Sequence, residues 1–159
     1  MLQKVLNDLV KFEGLSKKIY QCPAGKLTIG YGRNLEDNGV SKKEAELMLL
    51  FDIDNIINQL DRKVNFWKMQ PVNARIVLVQ MAFQLGIGGL LQFKKFLTAL
   101  QKNDLVTAKK EMFDSKWAKQ TPNRVQYLAE YLDQMNEPDD KKIWNKDINR
   151  LKNFLYNLL

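Results

Sequence analysis

From Leu27 to Gly32 the chain alternates Leu27, Ile29 and Tyr31 with Thr28, Gly30 and Gly32. A period of two places alternate side chains on opposite faces of a strand. This stretch constrains the fold most, because the patterns before and after it have the helical period. One face of the strand is expected to be apolar, and the other presents nothing larger than threonine. Glycine at two of that face's three positions lets another backbone or a ligand ring approach closely. Short strands are therefore expected across Lys17–Arg33, with Cys22-Pro23-Ala24-Gly25 as a tight reversal and Asn38-Gly39 as a second turn.

On either side the apolar residues recur at helical spacing. Leu2, Val5, Leu6 and Leu9 make one amphipathic helix, which Gly14 should stop at Glu13. Ser41-Lys42-Lys43-Glu44 is a capping box that opens a long helix, with Leu49, Ile53, Ile56 and Leu60 as its stripe and Asp52 and Asp54 elsewhere on it. Pro71 suits a first turn, so a helix is expected from Val72 to Leu85, then a flexible Gly86-Ile87-Gly88-Gly89 connection. Further helices are expected at Leu90–Gln101, at Leu105–Phe113 capped by Asp104, and at Pro122–Leu132 capped by Thr121. After a break at Glu137-Pro138-Asp139-Asp140, a last helix carries Ile148, Leu151, Leu155 and Leu158. Extra core is its default role, with wall or membrane contact the alternative. No repeat is present. The start lacks the apolar run of a signal peptide, and no later run reads as membrane-spanning, so a cytoplasmic origin is expected.

Composition narrows the chemistry. There is no histidine and one cysteine, Cys22, so no disulfide, no Cys- or His-based metal site and no His-based triad is expected. No cofactor is expected either. Catalysis must then use carboxylates, the thiol, hydroxyls, Lys or Tyr. The net charge of +7 favours a polyanionic partner: nucleic acid, an anionic membrane face or an acidic cell wall. The plain alternative is a lysine-rich surface that only keeps the protein soluble. Glu13, at a helix C-terminus and beside Phe12, is expected to have its pKa raised by the dipole and by burial. Without more, a glutamate in that place is usually a solvated surface residue.

Spacing supplies more. Eight residues separate Glu13 from Cys22 and five separate Cys22 from Thr28, which opens the run Thr28-Ile29-Gly30-Tyr31-Gly32. A second block is Met81-Ala82-Phe83-Gln84-Leu85-Gly86, and a third is Ser115-Lys116-Trp117 with Gln120-Thr121-Pro122-Asn123-Arg124. Together they resemble phage-type lysozymes, glycoside hydrolase family 24, whose signature is Glu, eight residues, Asp or Cys, five residues, Thr. The resemblance covers roughly Leu2 to Leu132.

It implies a mostly α, α+β lysozyme-like fold in a single domain, 1–159. A small N-terminal lobe with a β-sheet and the connecting helix would span 13–60, and residues 1–12 would fold back onto a helical lobe of 61–159. It also implies a monomeric muramidase, an endolysin cutting the β-1,4 bond between N-acetylmuramic acid and N-acetylglucosamine in peptidoglycan glycan strands. No nucleic acid partner and no stable membrane insertion would be involved, and release to the wall would use a separate pore. Glu13 would be the general acid. Thr28 would hold a water, Gly30 and Gly32 would border the sugar, and Phe83, Gln84 and Arg124 would contact it from the far wall. Core packing is the alternative for Phe83 and Gln84. Arg124 could instead pair with the backbone near Gly14, and Trp117 reads as core.

Cys22 leaves three roles open: water positioner, thiolate nucleophile or tolerated neighbour, the first being favoured. A small thiol packed under the turn is the structural alternative. An anionic Glu13 nearby would push its pKa above the usual value of about 8.5. Arg33 stands where the T-even members have histidine, and an Arg33–Asp52 ion pair is expected to tie sheet to long helix. The rival classes are a basic helical nucleic-acid-binding protein and a wall-binding relative without catalysis. Neither a zinc motif nor a basic recognition helix supports the first.

Overall fold

A computed structural model of the chain describes residues 1–134 and 141–156. The break expected at Glu137-Pro138-Asp139-Asp140 and the stripe residue Leu158 lie outside the described residues. The element order is α1 (Leu2–Glu13), β1 (Ser16–Gln21), β2 (Leu27–Gly30), β3 (Arg33–Asn34), α2 (Leu35–Asn38) and α3 (Lys42–Lys63). A 3₁₀ turn (Trp67–Met69) leads to α4 (Val72–Gln92), α5 (Lys94–Gln101), α6 (Leu105–Phe113), α7 (Lys116–Gln120), α8 (Pro122–Asp133) and α9 (Lys141–Tyr156). The fold is mostly α with one small sheet, as expected. Residue contacts divide it into two units, Met1–Met48 and Leu49–Leu159. The boundary falls inside α3, whose 22 residues rise about 33 Å.

In the first unit the sheet is antiparallel with order β1-β2-β3. Thr28 is opposite Tyr20 on one side and Asn34 on the other. The expected division into an apolar and a small-residue face is not kept, since Ile29 and Gly30 are both half-buried. Thr28 is buried, whereas Leu27 and Tyr31 of the supposed apolar face are exposed. The cross-strand neighbours cover a small side chain in mid-sheet more completely than large ones near the strand ends. The reversal after β1 is a tight turn in which the Gly25 N–H donates to the Cys22 carbonyl at 2.8 Å.

The capping box forms as read: the Ser41 N–H donates to Glu44 Oε2 at 2.7 Å and the Glu44 N–H to Ser41 Oγ at 3.3 Å. Glu44 also takes the partner expected for Asp52. The Arg33 guanidinium pairs with Glu44 Oε1 and donates from Nε to the Gly39 carbonyl at 2.8 Å. The sheet is thus tied to the start of α3 by a carboxylate three residues after its cap, Ser41. Serine hydroxyl and backbone hydrogen bonds, aided by Arg33, hold the Glu44 carboxyl below the usual range.

The second unit holds the core. Leu60, Trp67, Leu78, Met81, Phe96 and Leu128 are fully enclosed side chains from five elements. Trp67 satisfies its indole N–H on Asp61 at 2.7 Å, the requirement for burying that ring. Trp144 of α9 stands edge-on to Trp67 with centroids 6.3 Å apart, and Leu155 is buried, so the terminal helix is core.

Two expectations fail here. The Gly86–Gly89 connection is not a loop: only Gly86 leaves helical geometry, at φ +70° and ψ 159°, and α4 resumes at once as far as Gln92. One residue free to adopt positive φ is enough to kink a helix without ending it. At 21 residues, α4 is also long and apolar enough to pass for a membrane span, contrary to the sequence reading. Its Ala74, Val77, Leu78, Met81 and Leu90 are buried in the helical core.

Caps divide similarly. Asp104 accepts the Thr107 N–H at 3.1 Å and caps α6 as expected. Thr121 does not cap α8; its hydroxyl donates back to the Trp117 carbonyl at 3.1 Å, closing the short α7 that Ser115 opens.

Candidate functional site

Glu13 is the last residue of α1, and Gly14 follows with φ +67°. Glu13 is exposed, and so is Phe12 beside it, so the burial expected for this carboxyl does not occur. What the carboxyl faces is Gly32. A Cβ built on Gly32 would lie 3.3 Å from Glu13 Oε2, and the φ of Gly32 is +84°. The positive φ favours glycine there, and an added methyl would crowd the tip of the Glu13 side chain. The end of the first helix and the end of the glycine-rich stretch meet through this absent side chain.

Cys22 and Thr28 lie on the hairpin between β1 and β2. The Cys22 N–H donates to the Lys26 carbonyl at 3.0 Å, which turns the backbone amides of the reversal toward the sulfur. Hydrogen bonds from the Lys26 and Ala24 amides, with a smaller one from the Thr28 hydroxyl, lower the Cys22 pKa. This overturns the expectation of a thiol pushed upward by Glu13. Amide dipoles fixed by a turn favour the thiolate, as backbone N–H groups do wherever they converge on an anion. The thiol is half-exposed, not packed beneath the turn. The Thr28 hydroxyl donates to the Lys26 carbonyl at 3.0 Å while the thiol is protonated and turns its one proton to the sulfur in the thiolate; in either state its lone pairs can accept. Gly30, at φ +69°, ends β2 opposite Ser16.

Phe83, Gln84 and Arg124 belong to the second unit. Gln84 Oε1 accepts the Trp117 indole N–H at 2.9 Å, so Trp117 is core, and it orients the Gln84 amide. The Gln84 NH₂ group has no partner among the described residues. Arg124 Nη2 donates to Gln80 Oε1 at 3.4 Å, while its Nε is buried without a protein partner among the described residues. Phe83 is 43% exposed. It lines an open groove of about 520 Å³ with Asp52, Asn55 and Gln59 from α3 and Gly86 and Gly88 from α4.

Gln80, Asn55 and Gln59 were not singled out from the sequence. Gln80 lies four residues before Gln84, and Asp52, Asn55 and Gln59 recur at i, i+3 and i+7, so helical spacing alone could have placed each beside a chosen residue. Among the described residues no group of three metal-ligating side chains occurs.

The chain matches the phage lysozyme family over residues 10–131. It is 38% identical to a probable T4-type lysozyme 1 of Dictyostelium discoideum, an alignment covering 75% of this chain and 88% of that protein. It is 30% identical to an endolysin of Acyrthosiphon pisum secondary endosymbiont phage 1, over 76% of this chain and 82% of the relative. A 30% identical match to the pre-baseplate central spike protein Gp5 of Enterobacteria phage T4 covers 71% of this chain and 24% of that protein. The chain thus spans about a quarter of the spike protein and most of the other two. The family match runs from before Glu13 to beyond Arg124, and the protein accordingly belongs to the phage lysozyme family.

Proposed function

We propose that the protein is a peptidoglycan-hydrolysing glycosidase, a muramidase that cuts the β-1,4 bond between N-acetylmuramic acid and N-acetylglucosamine as a monomer. The observation that carries this reading is the family match over residues 10–131, which takes in every residue assigned a role below. Glu13 in its acid form protonates the glycosidic oxygen as the bond to the anomeric carbon breaks. The resulting positive charge on the sugar is quenched by a water, which Thr28 accepts a hydrogen bond from and Cys22 orients. The water's proton leaves to solvent, from which Glu13 is reprotonated for the next turnover. The glycine frame at Gly30 and Gly32 leaves room for a pyranose ring against the backbone. Gln84, with its carbonyl held by Trp117, offers a free NH₂ to sugar hydroxyls, and Phe83 offers a ring face.

Loss of turbidity in purified cell walls tests the reading. Wild type should lyse them. Glu13→Gln should slow lysis by about three orders of magnitude, within the range for removing a general acid. Undiminished lysis by that variant would remove Glu13 from the chemistry.

A further inference from the structure

Positive charge is unevenly distributed along the chain. Residues 90–120 carry seven lysines against three acidic residues, a net +4 of the chain's +7. Some of this charge is internally matched, since Lys109 pairs with Asp133. Lys94, Lys95 and Lys102 are exposed and have no ion pair with a carboxylate among the described residues. These three, with Thr98, Thr107 and Asp104, line a shallow groove of about 340 Å³ where α5 turns into α6. Asp104 is the single acid there; its carboxylate accepts the Thr107 N–H and is also stabilised by the nearby charge of Lys102. The groove therefore carries a net charge of +2.

The placement of two of these lysines is costly. Lys94 and Lys95 occupy the first turn of α5, which contains no acidic residue, and so face the positive end of the helix dipole. An anion bound at the groove would relieve that repulsion and be attracted by the lysines and helix end together. Local rules are broken in this way most often where a surface has a task.

We propose that the Lys94–Lys95–Lys102 groove is a second wall-binding surface that holds the enzyme on peptidoglycan through the free carboxylates of its peptide stems. It rests on the reading that peptidoglycan is the substrate. Carboxylates are the fitting partner because they are borne by that same polymer at repeated positions, so lysines on mobile stems can exchange from one to the next. The groove presents methylene stems, hydroxyls and charge, with Ala99 its one apolar side chain and no aromatic ring. It thus lacks the wedge that a membrane anchor needs and the stacking platform of a single-strand nucleic-acid groove.

The test is sedimentation with purified peptidoglycan sacculi, native or with stem carboxylates amidated by carbodiimide. Wild type is compared with Lys94→Gln/Lys95→Gln/Lys102→Gln, with the same three sites as arginine, and with Lys43→Gln/Lys63→Gln/Lys146→Gln, which removes equal charge elsewhere. The expected loss for the groove variant on native sacculi is about tenfold, the combined effect of three exposed charge pairs. Arginine should restore binding, and the equal-charge control should lose much less. Amidation should weaken wild type by a similar factor and leave the groove variant unchanged. The differences should collapse near 1 M salt, where the Debye length is about 3 Å.

Equal binding by wild type and the groove variant, indifference to amidation, or equal losses in the groove and control variants would each overturn the proposal. So would a difference that appears only on DNA or anionic phospholipid vesicles. Hydrolysis of amidated sacculi is measured in parallel and should be the same in wild type and groove variant. If the groove variant is slower there too, the lysines act elsewhere than on stem carboxylates and the proposal fails. If wild type cuts neither native nor amidated sacculi, the muramidase reading fails while the binding comparison still stands.

Discussion

The two units of the chain are stabilised by different means. In Met1–Met48 the only buried residue is Thr28, and the structure is held by a sheet ladder, the turn at Cys22–Gly25, the Ser41–Glu44 box and the Arg33–Glu44 pair. In Leu49–Leu159 the described buried hydrophobic residues from Ile56 to Leu132 form one cluster across α3 to α8, against which Trp144 and Ile148 of α9 pack. Hydrogen-bonded frames specify position but contribute little net free energy each, whereas apolar burial contributes most of a domain's stability. The residues proposed for chemistry, Glu13, Cys22 and Thr28, are in the unit with the small core. Such a frame can hold polar groups at fixed positions near solvent, which a packed helical interior cannot do without leaving them unsatisfied.

Substitutions that separate activity from stability test this contrast. Glu13→Gln should have the largest effect, the thousandfold loss of lysis, with Tm unchanged because the carboxyl is exposed. Leu78→Ala should do the reverse. Removing a fully buried leucine should cost about 2–5 kcal/mol in denaturant unfolding while the surviving folded enzyme keeps its rate. A large drop in activity per folded molecule would show that the core unit shapes the chemistry directly.

Gly32→Ala lies between these two. A side chain at φ +84° costs about 1–2 kcal/mol. The new methyl, 3.3 Å from Glu13 Oε2, should displace the acid and reduce lysis about tenfold. Full activity with lowered stability would mean that Gly32 serves the backbone alone.

Glu44→Ala should act through charge and cap together. Its folded pKa is lowered, so its contribution is present at neutral pH and lost as pH falls through that lowered value. Faster amide exchange across residues 33–44 is therefore expected at pH 7, with the gap from wild type closing in acid. A gap that persists at low pH would assign the effect to helix propensity. The smallest expected effect is at Cys22. Its alkylation by iodoacetamide should reach half-maximal rate below the ordinary thiol pKa, and Thr28→Val should move that midpoint upward. An unmoved midpoint would remove the hydroxyl from the thiol's environment.

Much of this was legible in the residues because it depends on near neighbours. Gly14 stopping α1, the Ser41–Glu44 box, the Asp104 cap and the helical stripes all involve residues within a few positions of one another. The failures have two causes. Arg33 chose Glu44 over Asp52 and Thr28 was buried where Leu27 and Tyr31 were not, and both outcomes required knowing which segment was adjacent. Thr121 turned back to Trp117, Gly86 kinked α4 without ending it, and the amides of its own turn lowered the Cys22 pKa; each of these was a choice between two local geometries that residue type leaves open.

By itself, then, the sequence determined the element types, most of their ends, the chemistry excluded by having no histidine, and the family signature from Glu13 to Arg124. Those follow from local propensity and residue type. Only the tertiary structure decided which residues of β2 are covered, which carboxylate meets Arg33, that Gly32 is opposite the acid, and that Trp117 holds Gln84. Such pairings depend on where strands and helices come to rest against one another, which no single segment encodes.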